Sequence, residues 1–233
     1  MRGFRASAGL LFLSLTVLLP GCTTHYFKGR LEKRIAARLR TLIGPANHYT
    51  VRIEETRDAE LVLGRLRRIS VEGRNVRVGG VIRLDTLRME AHGVRFRGGP
   101  DRLDRVRWSH LAVEITEAAL NEYLAKVRAS EEARVTLHEG EVTLHGVLRL
   151  LGTPVPVETR GPVEIAGGRQ LVFRAREVHA PSLQLPDGGS AFVERQVNPL
   201  VDVGRLDWPV RLDAVHVHPE KILLVGSLDL PRQ

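Results

Sequence analysis

Hydrophobic residues follow three different patterns along this chain. The first is an uncharged, leucine-rich run over residues 8–19, closed by Pro20-Gly21 and preceded by Arg2 and Arg5. It has the layout of a secretory leader. It is also shorter than the roughly 20 apolar residues that a helix needs to cross a bilayer. The second pattern follows: Phe27, Leu31, Ile35, Leu39 and Leu42 recur every three or four residues, with Ile43 alongside. That stripe predicts an amphipathic helix over about 28–43, stopped by Gly44-Pro45.

The third pattern has period two. Tyr49, Val51 and Ile53 alternate with Thr50, Arg52 and Glu54, as a half-buried strand requires. The alternation returns at Ile69 and Val71, Val76 and Val78, Ile82 and Leu84, then Leu87, Met89 and Ala91, then Val94 and Phe96, and at Leu111, Val113 and Ile115. Glycines at 64, 73, 79–80 and 93 predict turns or bulges in these strands. Helical spacing reappears once within residues 116–127, where Leu120, Tyr123, Leu124 and Val127 share a face, Thr116 suits the N-cap and Glu117 the first turn. A hairpin is predicted in VTLHEGEVTLHG, 135–146, around Glu139-Gly140. Val155 and Val157, Val163 and Ile165, and Leu171 and Phe173 continue the meander. A third helix is expected at 190–201, carrying Phe192, Val193, Val197, Leu200 and Val201, with Asn198-Pro199 working against its end. The last two strands are 210–217 and 222–230.

These elements predict an α+β fold: a strongly curved antiparallel β-sheet wrapped around amphipathic helices, in a single domain with room for an apolar groove. The expected division is a leader at 1–21, an anchor and tether at 22–30, and one domain over 31–233. Hydrophobic residues make up 43% of the chain, enough for a real core, but only 5% are aromatic, so bulky fillers are scarce. Soft aliphatic walls suit alkyl chains. The opposite expectation is that side chains fill the concavity and the chain is a non-enzymatic envelope scaffold.

Cys22 is the only cysteine, so no intramolecular disulfide is possible. It stands directly after the apolar run, and Leu19-Pro20-Gly21-Cys22 resembles the lipobox of bacterial lipoproteins. That resemblance implies thioether-linked diacylglycerol and further acylation at Cys22, which would consume a thiol that is a liability in an oxidising compartment. Two or three acyl chains make membrane attachment stable. Localisation is then the cell envelope, on the periplasmic face of a membrane. Thr23 rather than an aspartate follows the cysteine, which favours the outer membrane where one exists. The formal net charge is +8 and falls by two when Arg2 and Arg5 leave with the leader. For an exported chain the anionic partner is phospholipid rather than nucleic acid, with Lys33, Arg34 and Arg38 of the first helix as headgroup contacts.

The phrase ITEAALNEYL at 115–124, the hairpin VTLHEGEVTLHG and the run VNPLVDVGRLDWPVRLDAVHVHPEKILLVG at 197–226 together resemble the LmeA-like phospholipid-binding family of bacterial envelope proteins. The likeness runs over roughly residues 31–228. It implies an exported phospholipid binder with a fold akin to the tubular lipid-binding superfamily. A lipobox departs from members that are only secreted. On this reading the groove is lined by Leu31, Ile35 and Leu39 of the first helix, Leu120, Tyr123, Leu124 and Val127 of the second, and Phe192 and Val197 of the third.

Signs of catalysis are weak. His216 and His218 share a strand face, but no third metal ligand is identifiable. Ser109-His110 with Asp101 or Asp104 has the residue types of a hydrolase triad without a G-x-S-x-G elbow. Glu131-Glu132 and Glu139/Glu141 are carboxylates in a turn region. P-loop, dinucleotide-binding and HExxH motifs do not occur. Neither an enzyme activity nor a cofactor or metal is expected.

Overall fold

The computed structural model describes residues 21–54, 56–97, 103–128, 133–150, 153–180, 189–205 and 209–229. Residues 1–20 of the segment expected as a leader (1–21), Asp101 and Glu131-Glu132 lie outside them. In chain order the elements are α1 (Gly21–Leu42), β1 (His48–Glu54), α2 (Asp58–Val62), β2 (Arg65–Val78), β3 (Ile82–Phe96), β4 (Leu103–Arg105) and β5 (Trp108–Thr116). There follow α3 (Glu117–Arg128), β6 (Arg134–Leu137), β7 (Val142–Leu150), β8 (Thr153–Gly161), β9 (Val163–Ala166), β10 (Gln170–Phe173) and β11 (Glu177–His179). The chain ends through α4 (Gly189–Val197), β12 (Val201–Asp202), a 3-10 turn (Val203–Arg205), β13 (Val210–His218) and β14 (Lys221–Leu228).

All strand pairs are antiparallel. The largest sheet runs β1-β2-β3-β5-β14-β13, with β4 added to β3; the others run β12-β10-β9 and β11-β8-β7-β6. The molecule is therefore a mostly antiparallel α+β protein with few helices, in one domain. The sheets are open, neither closed nor strongly curled, so the expected tight wrapping is not what the strands show. The reason lies in the interruptions. The β2–β3 hairpin keeps one register from Arg65↔Arg95 to Val78↔Ile82. Asn75 (φ 51) and Gly93 (φ 61) turn the chain locally without slipping that register. The buried side of β2 shifts phase there, from Ile69 and Val71 to Val76 and Val78, which is the odd spacing present in the sequence. Local phase shifts of this kind keep apolar residues inward without closing a sheet.

Two elements differ in extent from the sequence reading. α1 begins at Gly21, so residues 22–30, expected as a tether, are helical. α4 stops at Val197, before Asn198-Pro199, and Val201 belongs to β12.

Helices cover strands with polar side chains as well as apolar ones. Ile35, Leu39 and Ile43 bury against β1, and the Ile53 N–H donates to Glu32 Oε1 at 2.8 Å. An edge strand that would otherwise offer free backbone groups is thereby covered. Tyr49 donates its hydroxyl to the Gly44 carbonyl at 3.0 Å, and burial pushes its pKa up to about 12 against a smaller opposing effect of Arg40. On α3, Thr116 Oγ1 accepts from the Ala119 N–H, as the N-cap expectation requires. One continuous core runs from Ile35 to Leu224 and is almost wholly aliphatic. Each such side chain contributes about 1.5–3 kcal/mol when fully buried.

Candidate apolar-ligand site

Among the described residues, two spaces with largely aliphatic walls differ in size. The first lies against the large sheet, lined by Ile82, Leu84, Leu111, Val113, Leu212 and Leu224 with Val201 and Val203. It measures only about 40 Å³, close to the roughly 30 Å³ that one water occupies in the liquid. The second lies where α4 and the end of α3 cross the β6–β8 sheet and measures about 230 Å³. Leu124, Leu144, Val147, Val157, Val193, Val197 and Leu200 form its aliphatic wall, with Arg134, His145 and Gln196 among its polar members.

Local sequence explains how this second space is framed. In the β6–β7 hairpin Val135 pairs with Leu144 and Leu137 with Val142, and the turn closes at Gly140 with φ 74. The Gly140 N–H donates to the Val217 carbonyl at 2.9 Å, docking the turn on β13. α3 lies along the outer side of β6. Its Asn121 side chain donates to the Val135 carbonyl at 2.9 Å and accepts from the Val135 N–H at 2.7 Å, while the Leu137 N–H donates to Glu117 Oε2 at 2.9 Å. The C-terminal end of α4 repeats the arrangement on β10. Asn198 accepts from the Phe173 N–H at 2.7 Å and donates to the Phe173 carbonyl at 2.9 Å, and the Ala175 N–H donates to Glu194 Oε1 at 3.0 Å. Both clamps use Glu and Asn four residues apart, one turn along a helix face.

Of the groove residues expected from sequence, Leu124 and Val197 line the larger cavity. Ile35, Leu39 and Leu120 are buried in the core, and Leu31 and Tyr123 are packed against it. Phe192 is half-buried on α4. The side chains of Cys22 and Val127 lie outside what the structure describes. Lys33, Arg34 and Arg38 are exposed on α1. Sequence reasoning missed Val193, which is 1% exposed, and the wall formed by Leu144, Val147, Val157 and Leu200. Their alternation was visible, but the partner that leaves space above them is a separate helix far along the chain.

The residues weighed for chemistry have other occupations. Ser109 Oγ accepts from the Leu228 N–H at 2.8 Å, and Asp104 pairs with Arg97 at 3.1 Å. His110 stacks on Trp108 with ring centroids 6.4 Å apart. Glu141 is held between Arg160 and Arg176 at 2.7 and 3.0 Å. His218 faces Glu139 at 3.3 Å, and among the described residues no three His, Cys, Asp or Glu side chains gather as a metal site.

An open antiparallel scaffold thus carries a space with a largely aliphatic wall beneath α4. The chain belongs to the LmeA-like phospholipid-binding family, whose model matches residues 27–227. That family is one of phospholipid binders and not a known enzyme family. No curated protein and no solved structure matches the chain.

Proposed function

We propose that this protein is a lipid-anchored envelope protein that shelters phospholipid acyl chains in the cavity beneath α4 and carries or presents them at a membrane. The observation that carries the reading is the aliphatic wall built by Leu144, Val147, Val157, Val193, Val197 and Leu200, in a member of a phospholipid-binding family. Two acyl chains hold on the order of 30 methylenes, so leaving a bilayer exposes about 25 kcal/mol of apolar transfer free energy that a binder must offset. A cavity of about 230 Å³ is smaller than the about 300–1,000 Å³ of ordinary ligand sites, so loading moves α4 outward. α4 suits that movement: Val193 is its one fully buried side chain among those described.

In this reading residues 1–21 are a cleaved signal peptide and Cys22 carries the acyl groups of a lipoprotein, palmitate among them. The mature chain then faces the periplasm, held to the outer membrane where one exists. Lys33, Arg34 and Arg38 contact headgroups from α1.

Native mass spectrometry of the full-length chain carrying Cys22→Ser, delipidated and then incubated with phosphatidylglycerol vesicles, tests the cavity. A phospholipid adduct is expected. Val147→Trp, which fills the space from a half-buried position, is expected to remove the adduct while circular dichroism stays unchanged. Absence of any adduct on the Cys22→Ser chain defeats the proposal. The small size of the space on the large sheet, about 40 Å³, favours a second reading, an envelope scaffold. A stoichiometric protein partner purified without lipid would select it.

A further inference from the structure

At the end of the molecule where β2 starts and β3 finishes, a cleft of about 530 Å³ is lined by Arg65, Arg67, Arg95, Arg105 and Arg107, with Glu60 the only acidic residue in its wall among the described residues. Three of the five are direct neighbours across strands. Arg65 stands opposite Arg95, and Arg95 opposite Arg105. Like charges in such register destabilise a sheet, so their placement calls for an external anion. Glu60 engages Arg67 at 3.0 Å and Asp104 engages Arg97 at 3.1 Å. Among the described residues, no ion pair holds Arg65, Arg95, Arg105 or Arg107. Beside them stand exposed apolar side chains: Val62 is 87% exposed, Leu63 62% and Leu103 42%.

The direction of α1 adds an independent reason. Its Glu32 is level with Ile53, and its C-terminal end is level with Tyr49, whose hydroxyl reaches Gly44. The helix therefore runs antiparallel to β1, and its first turns point toward the arginine end. Ile53 lies opposite Ile69, and Arg65 is four strand residues further on, about 13 Å. From Glu32 back to Cys22 is ten helical residues, about 15 Å in the same direction. The start of α1 and the arginine cleft thus reach the same level.

We propose that this end, formed by α2, β4 and the adjoining ends of β2 and β3, docks on anionic phospholipid bilayers. The arginines take lipid phosphates while Val62, Leu63 and Leu103 enter the headgroup region. Cationic and apolar side chains on one exposed end match a bilayer interface, which offers both chemistries, better than a purely polar acidic protein or glycan. The inference rests on the reading that the chain works at a phospholipid membrane, and it places contact at a different surface from the basic face of α1. An acyl anchor at Cys22 would hold the cleft against the bilayer.

Flotation of the full-length chain carrying Cys22→Ser with phosphatidylcholine vesicles, with and without phosphatidylglycerol, tests it. Each arginine near an anionic surface is worth about fivefold in binding, so Arg95→Gln with Arg105→Gln is expected to weaken binding to the anionic vesicles about 30-fold. The control is Arg77→Gln with Arg83→Gln at the other end of the same hairpin. Those positions face each other in register and stand about 40 Å from Arg65, beyond the roughly 8 Å Debye length. They are expected to change binding by less than about twofold. Leu63→Asp is expected to weaken binding too, with no arginine altered. Equal loss in both double variants, or none in Arg95→Gln/Arg105→Gln, overturns the proposal. So does loss of a co-purifying acidic protein with vesicle binding intact. The mass-spectrometric adduct keeps the two proposals apart. An adduct with unchanged vesicle binding defeats docking alone, and no adduct with arginine-dependent vesicle binding defeats the cavity alone.

Discussion

α3 and α4 fasten to their strands by the same device and differ in what lies beneath them. At each, a Glu and an Asn four residues apart satisfy backbone groups of a neighbouring segment: Glu117 and Asn121 on β6, and Glu194 with Asn198, one residue past α4, on Ala175 just beyond β10 and on Phe173 at its end. α3 then buries Ala119, Leu120 and Leu124 to 4% exposure or less, whereas α4 commits Val193 and rests over the cavity. Polar clamps set where a helix lies, and apolar area sets how hard it is to lift. An open space survives where the first is present and the second is thin.

Three substitutions sharpen that contrast. Leu120→Ala is expected to cost about 2–5 kcal/mol in denaturant unfolding, because α3 has no slack to close the void. Phospholipid adducts per folded molecule stay unchanged; their loss would place the ligand under α3 instead. Asn121→Ala and Asn198→Ala each strand a backbone N–H and C=O and are expected to cost about 1–3 kcal/mol. Only Asn198→Ala is expected to speed phospholipid exchange with vesicles, followed by transfer of a fluorescent lipid. Equal acceleration by both would break the distinction. The smallest effect belongs to the contact between β1 and the turn that follows α1. Tyr49 keeps its proton to about pH 12 when folded, against 10.0 when free. Its contribution is therefore fully present below about pH 10 and lost as pH rises toward 12. Urea midpoints across that window are expected to fall, and Tyr49→Phe to flatten that fall.

Several elements were legible in the chain because their signals are local. The period of Leu31, Ile35 and Leu39 predicts α1, Thr116 marks the start of α3, and the VTLHEGEVTLHG hairpin forms in the expected register. The clamps left a trace that sequence reasoning passed over, the repeated Glu-x-x-x-Asn of 117–121 and 194–198. So did the arginine end, in the repeated spacing of Arg65-Leu-Arg67, Arg95-Phe-Arg97 and Arg105-Val-Arg107, although only Arg65 and Arg67 both lie within one strand and so share its face.

By itself the sequence determined an aliphatic interior, antiparallel strands with their phase shifts, and amphipathic helices, since each depends on residues within a few positions of one another. Tertiary structure decided which aliphatic surfaces meet and which stay apart. The space on the large sheet measures about 40 Å³ and the one under α4 about 230 Å³. Tertiary structure also decided that Arg65, Arg95 and Arg105 become neighbours. Cavities and charge clusters are sums over segments tens of residues apart, and no local periodicity encodes the distance between them.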